Sequence, residues 1–198
     1  MKRLIMAFLG LLVATSAVAE QSAWFVGGTL GYGSVTHKYK EYSTSRSTQY
    51  LANTNATLNG TRFGVLGGYK QFFTEKFGLR YYVVLNLGSY NGVSAKDYHI
   101  NVDALFNFIT IDEIEIGAFG GLGLGKKTFD DSLHEKWGAV VNVNLGVRAN
   151  IHTNYGVELF YTHDLAKTAA ESVRIGYRSI DVEYSKPDVF GVRYIYSF

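Results

Sequence analysis

The chain of 198 residues has no cysteine, a single proline, two methionines and two tryptophans. Without cysteine there are no disulfides and no thiolate metal sites, so an exported domain of this size must take its stability from elsewhere. Charge of one sign is also missing. With Lys2 and Arg3 set aside, the remaining 17 of the 19 basic residues balance the 17 acidic ones, and no strong field for nucleic acid is left. What the chain does have is 22 glycines together with 15 tyrosines and 13 phenylalanines. With so little proline, this composition points to many strands and little helix.

Met1 to Ala19 has the layout of a secretory leader: basic Lys2 and Arg3, the apolar run Leu4 to Val13, and the cleavage signature Ala17-Val18-Ala19. It is too short for a membrane-spanning helix, which takes about 20 apolar residues. The expected organisation is therefore a cleaved signal peptide over 1–19 and one barrel domain over 20–198, with no linker to divide it.

Eight stretches alternate apolar and polar residues with the period of two that places successive side chains on opposite faces of a strand. They run from about Ala23 to Tyr32, Thr61 to Phe73, Phe77 to Gly88, His99 to Ile111, Ile114 to Leu124, Trp137 to Ile151, Tyr155 to His163, and Asp188 to Phe198. Tight turns are expected at Thr74 to Lys76, Asp112-Glu113 and His152 to Asn154. Loops are expected over Gly33 to Gly60, Asn91 to Asp97, Lys126 to Lys136 and Asp164 to Pro187, with Pro187 opening the last strand. An even number of strands, each about 10 residues long, suits a tilted crossing of an apolar band. Alternating short and long connections put all turns at one end and all loops at the other. The predicted fold is all-β, an eight-stranded antiparallel up-and-down transmembrane barrel with outward loops.

A soluble barrel of the lipocalin kind alternates in the same way, so the composition of each face has to decide. The polar face is asparagine and glycine with near-balanced ions: Arg62, Lys70, Arg80, Arg148 and Arg193 against Asp103, Glu115 and Glu158. This suits a narrow lumen better than a water-facing surface rich in lysine and glutamate. The apolar face has aromatics at both ends, with Trp24, Tyr69, Phe77, Tyr155, Tyr196 and Phe198 toward the turns and Tyr32, Phe63, Trp137, Tyr161 and Phe190 toward the loops. Aliphatics such as Val83, Leu85, Val143 and Leu145 lie between. Two aromatic girdles around an aliphatic band match two bilayer interfaces, with Trp24, Tyr69, Phe77, Trp137 and Tyr155 as the chosen anchors. Because unpaired backbone in lipid costs several kcal/mol per group, the last strand must close on the first. Eight strands leave an interior just wide enough for side chains, so Arg62, Arg80, Arg148, Tyr82 and Phe119 are expected to fill it, the arginines paired with Asp103, Glu115 and Glu158.

Other motifs carry little chemistry. Gly120 to Lys127 approaches a phosphate-binding loop, but Lys127 stands where magnesium chemistry needs a hydroxyl, and no helix follows. His37, His99, His134, His152 and His163 show no ligand spacing. Asn55-Ala56-Thr57 and Asn59-Gly60-Thr61 match an N-glycosylation pattern by chance in a segment rich in Asn and Thr. No cofactor or metal is expected.

Gly67-Gly68-Tyr69-Lys70-Gln71-Phe72-Phe73 followed by Phe77-Gly78-Leu79-Arg80-Tyr81-Tyr82 resembles the central signature of the Helicobacter outer-membrane protein family. Ser22 to Gly28 resembles its first strand and Tyr194 to Phe198 its terminus. The resemblance implies residence in the outer membrane of an epsilon-type Gram-negative bacterium, among its lipid and lipopolysaccharide. It also implies that the aromatic terminus of Tyr194, Tyr196 and Phe198 is read by the barrel-assembly machinery. Larger relatives carry an extracellular domain used in some for adhesion to host glycans; nothing here matches that domain, so any host-surface ligand falls to the loops. Lipid A deacylases built on such barrels show an H-x-S-N pattern that His163-Asp164-Leu165-Ala166 does not meet. The expectation is a monomeric, non-enzymatic barrel with a structural or surface-interaction role, the alternatives being a small porin-like channel and a lipid A-modifying enzyme.

Overall fold

The computed structural model describes residues 22–43, 49–111, 114–131, 134–151, 154–165, 167–175 and 178–198. The proposed leader over 1–19 lies outside them, as do the expected turn at Asp112-Glu113 and most of that at His152 to Asn154. Among the described residues nine strands follow one another: β1 (Ala23–Ser43), β2 (Gln49–Phe72), β3 (Phe77–Tyr90), β4 (Val93–Ile111), β5 (Ile114–Asp131), β6 (His134–Ile151), β7 (Tyr155–Asp164), β8 (Lys167–Ile175) and β9 (Arg178–Ser197).

Eight of them make the barrel. The ring runs β1-β2-β3-β4-β5-β6-β7-β9, every pair is antiparallel, and β9 closes on β1 along a register that includes Phe25↔Ser197 and Tyr32↔Phe190. No edge is left within the ring, the condition lipid imposes on a sheet. β8 stands outside the ring and, among the described residues, pairs only with the first part of β9.

The strands are longer than the sequence suggested, and most of the expected loops are strand. β1 and β2 stay paired from Ala23↔Lys70 to Ser43↔Gln49, which makes Gly33–Ser43 and Gln49–Gly60 strand rather than loop. Lys126 to Lys136 lies largely in β5 and β6, which pair up to Asp131↔His134. The segment from Asp164 to Pro187 becomes β8 and the start of β9. Ser94 to Asp97 belongs to β4, so the expected medium loop shrinks to the two-residue turn Asn91-Gly92, whose φ values of 47° and 89° are those of a primed hairpin turn. Thr, Tyr and Val favour strands whether or not lipid covers them, so polar composition alone does not end a ladder. Pro187 lies inside β9 rather than at its start. The register against β1 jumps from Asp188 to Ser185, which leaves Pro187 in a bulge where no ladder N–H is needed.

The barrel is polar inside and apolar outside. Leu30, Val65, Ile100, Leu122, Leu124 and Trp137 are all at least 60% exposed, while Arg80, Asp103 and Glu158 are at most 2% exposed. Between the charged groups the lumen is filled by aromatic and aliphatic side chains: Phe25, Leu66, Tyr82, Val84 and Ile195 in one cluster, Phe72, Leu105, Phe119, Phe160 and Val189 in another. Two inward glycines make room for this filling. A Cβ on Gly146 would overlap the Phe119 ring, and one on Gly123 would overlap the amide oxygens of Asn101 and Asn142.

Candidate functional site

Two layers of ions occupy the lumen. In the first, Arg80 on β3 donates from Nη1 to Glu158 Oε1 at 2.6 Å and from Nη2 to Asp103 Oδ2 at 2.7 Å. Arg193 on β9 donates to the other Glu158 oxygen at 3.0 Å. The register explains the meeting, because Glu158 is level with Arg193 across β7 and β9 while Arg80 is level with Asp103 across β3 and β4. The guanidiniums also lie over rings: Arg80 is 4.9 Å from the Phe119 centroid, and Arg193 is 5.1 Å from Phe160 and 5.2 Å from Tyr82. Planar cations stacked on aromatics and held by carboxylates fill the bore without leaving a bare charge.

The second layer lies nearer the end from which the long strand extensions rise. Arg62 Nη2 donates to Asp97 Oδ2 at 2.9 Å, and the same oxygen accepts from Asn86 at 2.9 Å and meets His99 Nε2 at 2.6 Å. The Asn142 amide donates to His99 Nδ1 at 2.9 Å, so the ring presents its N–H to Asp97. Asn144 bonds Asn101 and Asn142 and accepts from Thr162 at 2.8 Å. Lys127 Nζ donates to Asp164 at 2.5 Å above them. A cavity of about 20 Å³ remains between the layers, lined by Thr29, Asn101, Asn144 and Arg193 among others.

Of the lumen charges read from the sequence, Arg62, Lys70, Arg80, Asp103, Arg148, Glu158 and Arg193 are buried and Glu115 is half-buried. Arg148 lies 5.5 Å from the Phe72 ring centroid. Arg62 differs from expectation: it pairs with Asp97, a residue assigned to a loop. Asp97, His99, Lys127 and Asp164 were all missed as luminal groups, although the signal was present. Asp97 and His99 share parity with Asn101 and Asp103, and Asp164 shares it with Glu158, so carrying the alternation two to six residues further finds them.

On the outer face Trp24, Phe77, Trp137 and Tyr155 are exposed and Tyr69 is half-buried. The Trp24 and Tyr69 rings stand 5.2 Å apart and those of Tyr155 and Tyr196 5.4 Å apart. Tyr194 and Tyr196 face outward with Phe198, which is 66% exposed and whose N–H donates to the Trp24 carbonyl at 2.9 Å. His163, half-buried at the rim, meets Asp188 at 2.6 Å, and the Tyr161 hydroxyl donates to the same carboxylate oxygen at 2.7 Å.

The chain is similar to known outer-membrane proteins. The solved structure of the outer membrane protein AlkL in lipid bilayers shares 13% identity, with 93% of this chain and 94% of that one covered at a TM-score of 0.50. Neisserial surface protein A shares 13% identity over 85% of this chain and 97% of that one, at a TM-score of 0.47. OprG from Pseudomonas aeruginosa shares 14% over 91% and 99%, at 0.46. No curated protein matches the chain in sequence. The family model described as Helicobacter outer membrane protein matches residues 64–198, from the second barrel strand to the terminal phenylalanine. With an apolar belt turned outward around a closed eight-stranded ring, the chain belongs to the Helicobacter outer membrane protein family and is a β-barrel of the bacterial outer membrane.

Proposed function

We propose that the protein is a non-enzymatic barrel with a closed lumen, which works at the cell surface through the strand extensions spanning 33–60 and 164–187. The observation that carries this reading is Arg80 bridging Glu158 and Asp103 across the bore. That bridge joins opposite walls of the ring, and the cavity of about 20 Å³ above it has room for a water molecule or two. A conducting path would need the bridge to open and two fully buried carboxylates to lose their partners. Planar-bilayer recordings of the purified protein are expected to show no stable conductance steps; regular steps would replace this reading with the porin-like one.

In this reading the outward belt contacts outer-membrane lipid and lipopolysaccharide, with Trp24, Tyr69, Phe77, Trp137 and Tyr155 anchoring the interfaces, and the barrel is a monomer. Residues 1–19 are the cleaved leader. Tyr194, Tyr196 and Phe198 form the signal taken by the barrel-assembly machinery; their outward exposure supports this, since a groove can reach them from the side. Any host-surface ligand is met by the extensions. Purified protein is expected to leave lipid A acylation unchanged, and acylation loss that disappears in His163→Ala would establish an enzyme instead.

A further inference from the structure

Beyond the membrane four strands of the barrel sheet continue side by side, in the order β2, β1, β9, β8. β1 and β9 are paired on both sides; β2 and β8 are the edges, and the two edges differ in chemistry. β8 carries Lys167, Glu171 and Arg174 within nine residues, the kind of charge by which exposed edges block further pairing. β2 from Gln49 to Asn59 reads Q-Y-L-A-N-T-N-A-T-L-N, without a charge or a proline. On the paired strand β1 the charges Lys38, Lys40 and Glu41 stand one strand further in.

β3 parts from β2 just past Gly60↔Tyr90, where Asn91 N–H makes a last bond to the Asn59 carbonyl at 3.2 Å and the chain turns back at Asn91-Gly92. Above that point β1 is the only strand paired with β2 among the described residues. On an antiparallel edge every second residue turns both its N–H and its C=O away from its partner; between the register shift at Leu51 and the Asn59 carbonyl, which accepts from Asn91 N–H, this leaves about three open residues along about 23 Å. The segment is held extended: Asn55, Thr57 and Asn59 are exposed, while Leu58 is half-buried against the cluster of Val35, Tyr90, Ala95 and Phe129.

We propose that this edge is a strand-addition site, and that its occupant is an extended peptide segment of an extracellular protein, which joins the sheet as a fifth strand. The proposal rests on the surface-interaction reading above. A symmetric pair of copies in one membrane does not fit the edge. Their axis would run along the membrane normal, so both β2 strands would run the same way and bring donor level with donor.

The probe is a fluorescent synthetic peptide with the sequence of Gly33–Ser43, the segment that pairs with the other side of β2. It is titrated onto the full protein in lipid nanodiscs while amide hydrogen exchange is followed. Saturable binding is expected, with slowed exchange over residues 49–59 and none over 167–175. The double variant Asn55→Lys with Thr57→Lys is expected to bind about tenfold more weakly, its folded state verified by heat-modifiable gel mobility, while Ser172→Lys on β8 leaves binding unchanged. No binding, slowed exchange elsewhere, or unchanged binding in the double variant overturns the proposal. Clumping of vesicles that carry the protein, abolished by the double variant, would replace the occupant with a copy on an opposing membrane. Whole cells separate this from the broader reading. A deletion strain that binds host extracellular protein as well as its parent ends the surface role, whereas lost binding fully restored by the double variant ends only the edge site.

Discussion

Arg80 and Glu158 are 78 positions apart in the chain and meet at 2.6 Å across the lumen, each at most 2% exposed. Glu158 also holds Arg193, so its carboxylate balances two guanidiniums, one from the neighbouring β9 and one from β3 across the bore. Glu158→Ala would leave both cations buried and short of a partner, and breaking a buried pair from one side costs about 3–5 kcal/mol. Urea unfolding of the protein in vesicles, read by tryptophan fluorescence, should show that loss. An unchanged midpoint would mean that the cluster fills space without stabilising the barrel.

Leu145 and Asn144 are adjacent on β6 and point opposite ways, Leu145 half exposed on the outer belt and Asn144 buried among Asn101, Asn142 and Thr162. Leu145→Arg in the aliphatic band should cost about 2–4 kcal/mol, the penalty for arginine facing lipid near the midplane. The measurement is again equilibrium unfolding in vesicles. A neutral result would mean that this face meets water.

Gly146 faces the lumen and Gly120 faces out. A Cβ at Gly146 meets the Phe119 ring and the Leu159 carbonyl, while one at Gly120 comes only within 3.2 Å of a flexible Leu145 methyl. Gly146→Val should therefore destabilise the barrel by about 1–3 kcal/mol through overpacking, with Gly120→Ala near neutral. Comparable losses in the two variants would show that the lumen has slack that the geometry does not indicate.

Phe198 ends the chain on the outer face with its N–H on Trp24 O at 2.9 Å. Phe198→Asp should lower the amount of folded protein in the outer membrane several-fold, because it removes the exposed aromatic but keeps the backbone bond. Phe198→Tyr and Ser197→Ala should have little effect. Heat-modifiable mobility of outer-membrane fractions measures the folded amount, and equal assembly of Phe198→Asp and Phe198→Tyr would show that the ring is not read.

Much of the lumen could be read from parity alone. Arg80, Asp103, Glu158 and Arg193 all fall on the polar side of a period-two pattern, and that pattern needs no partner strand to be seen. The partner of Arg62 could not be read this way. Asp97 was hidden in what looked like a loop, because Ser, Ala, Lys and Asp are turn-like in composition, and only the pairing of β4 with β3 holds them extended. The same error assigned Lys127 and Asp164 to connections, although they meet inside the bore. Polar strand ends above a membrane have no apolar face to mark them, so their extent depends on hydrogen bonding to a neighbour.

By itself the sequence determined the all-β class, the eight crossing stretches and which face of each is polar, because side-chain alternation is local to a strand. Its aromatic girdles also turned the apolar face toward lipid. Closure of the last strand on the first also followed from it; only the tertiary structure decided the register of that closure, that Arg80 faces Glu158, and that β2 rises past β3 to leave an uncharged edge. The reason is register: which residues meet across a barrel depends on how far each strand is staggered against the next around the whole ring, and no single strand carries that sum.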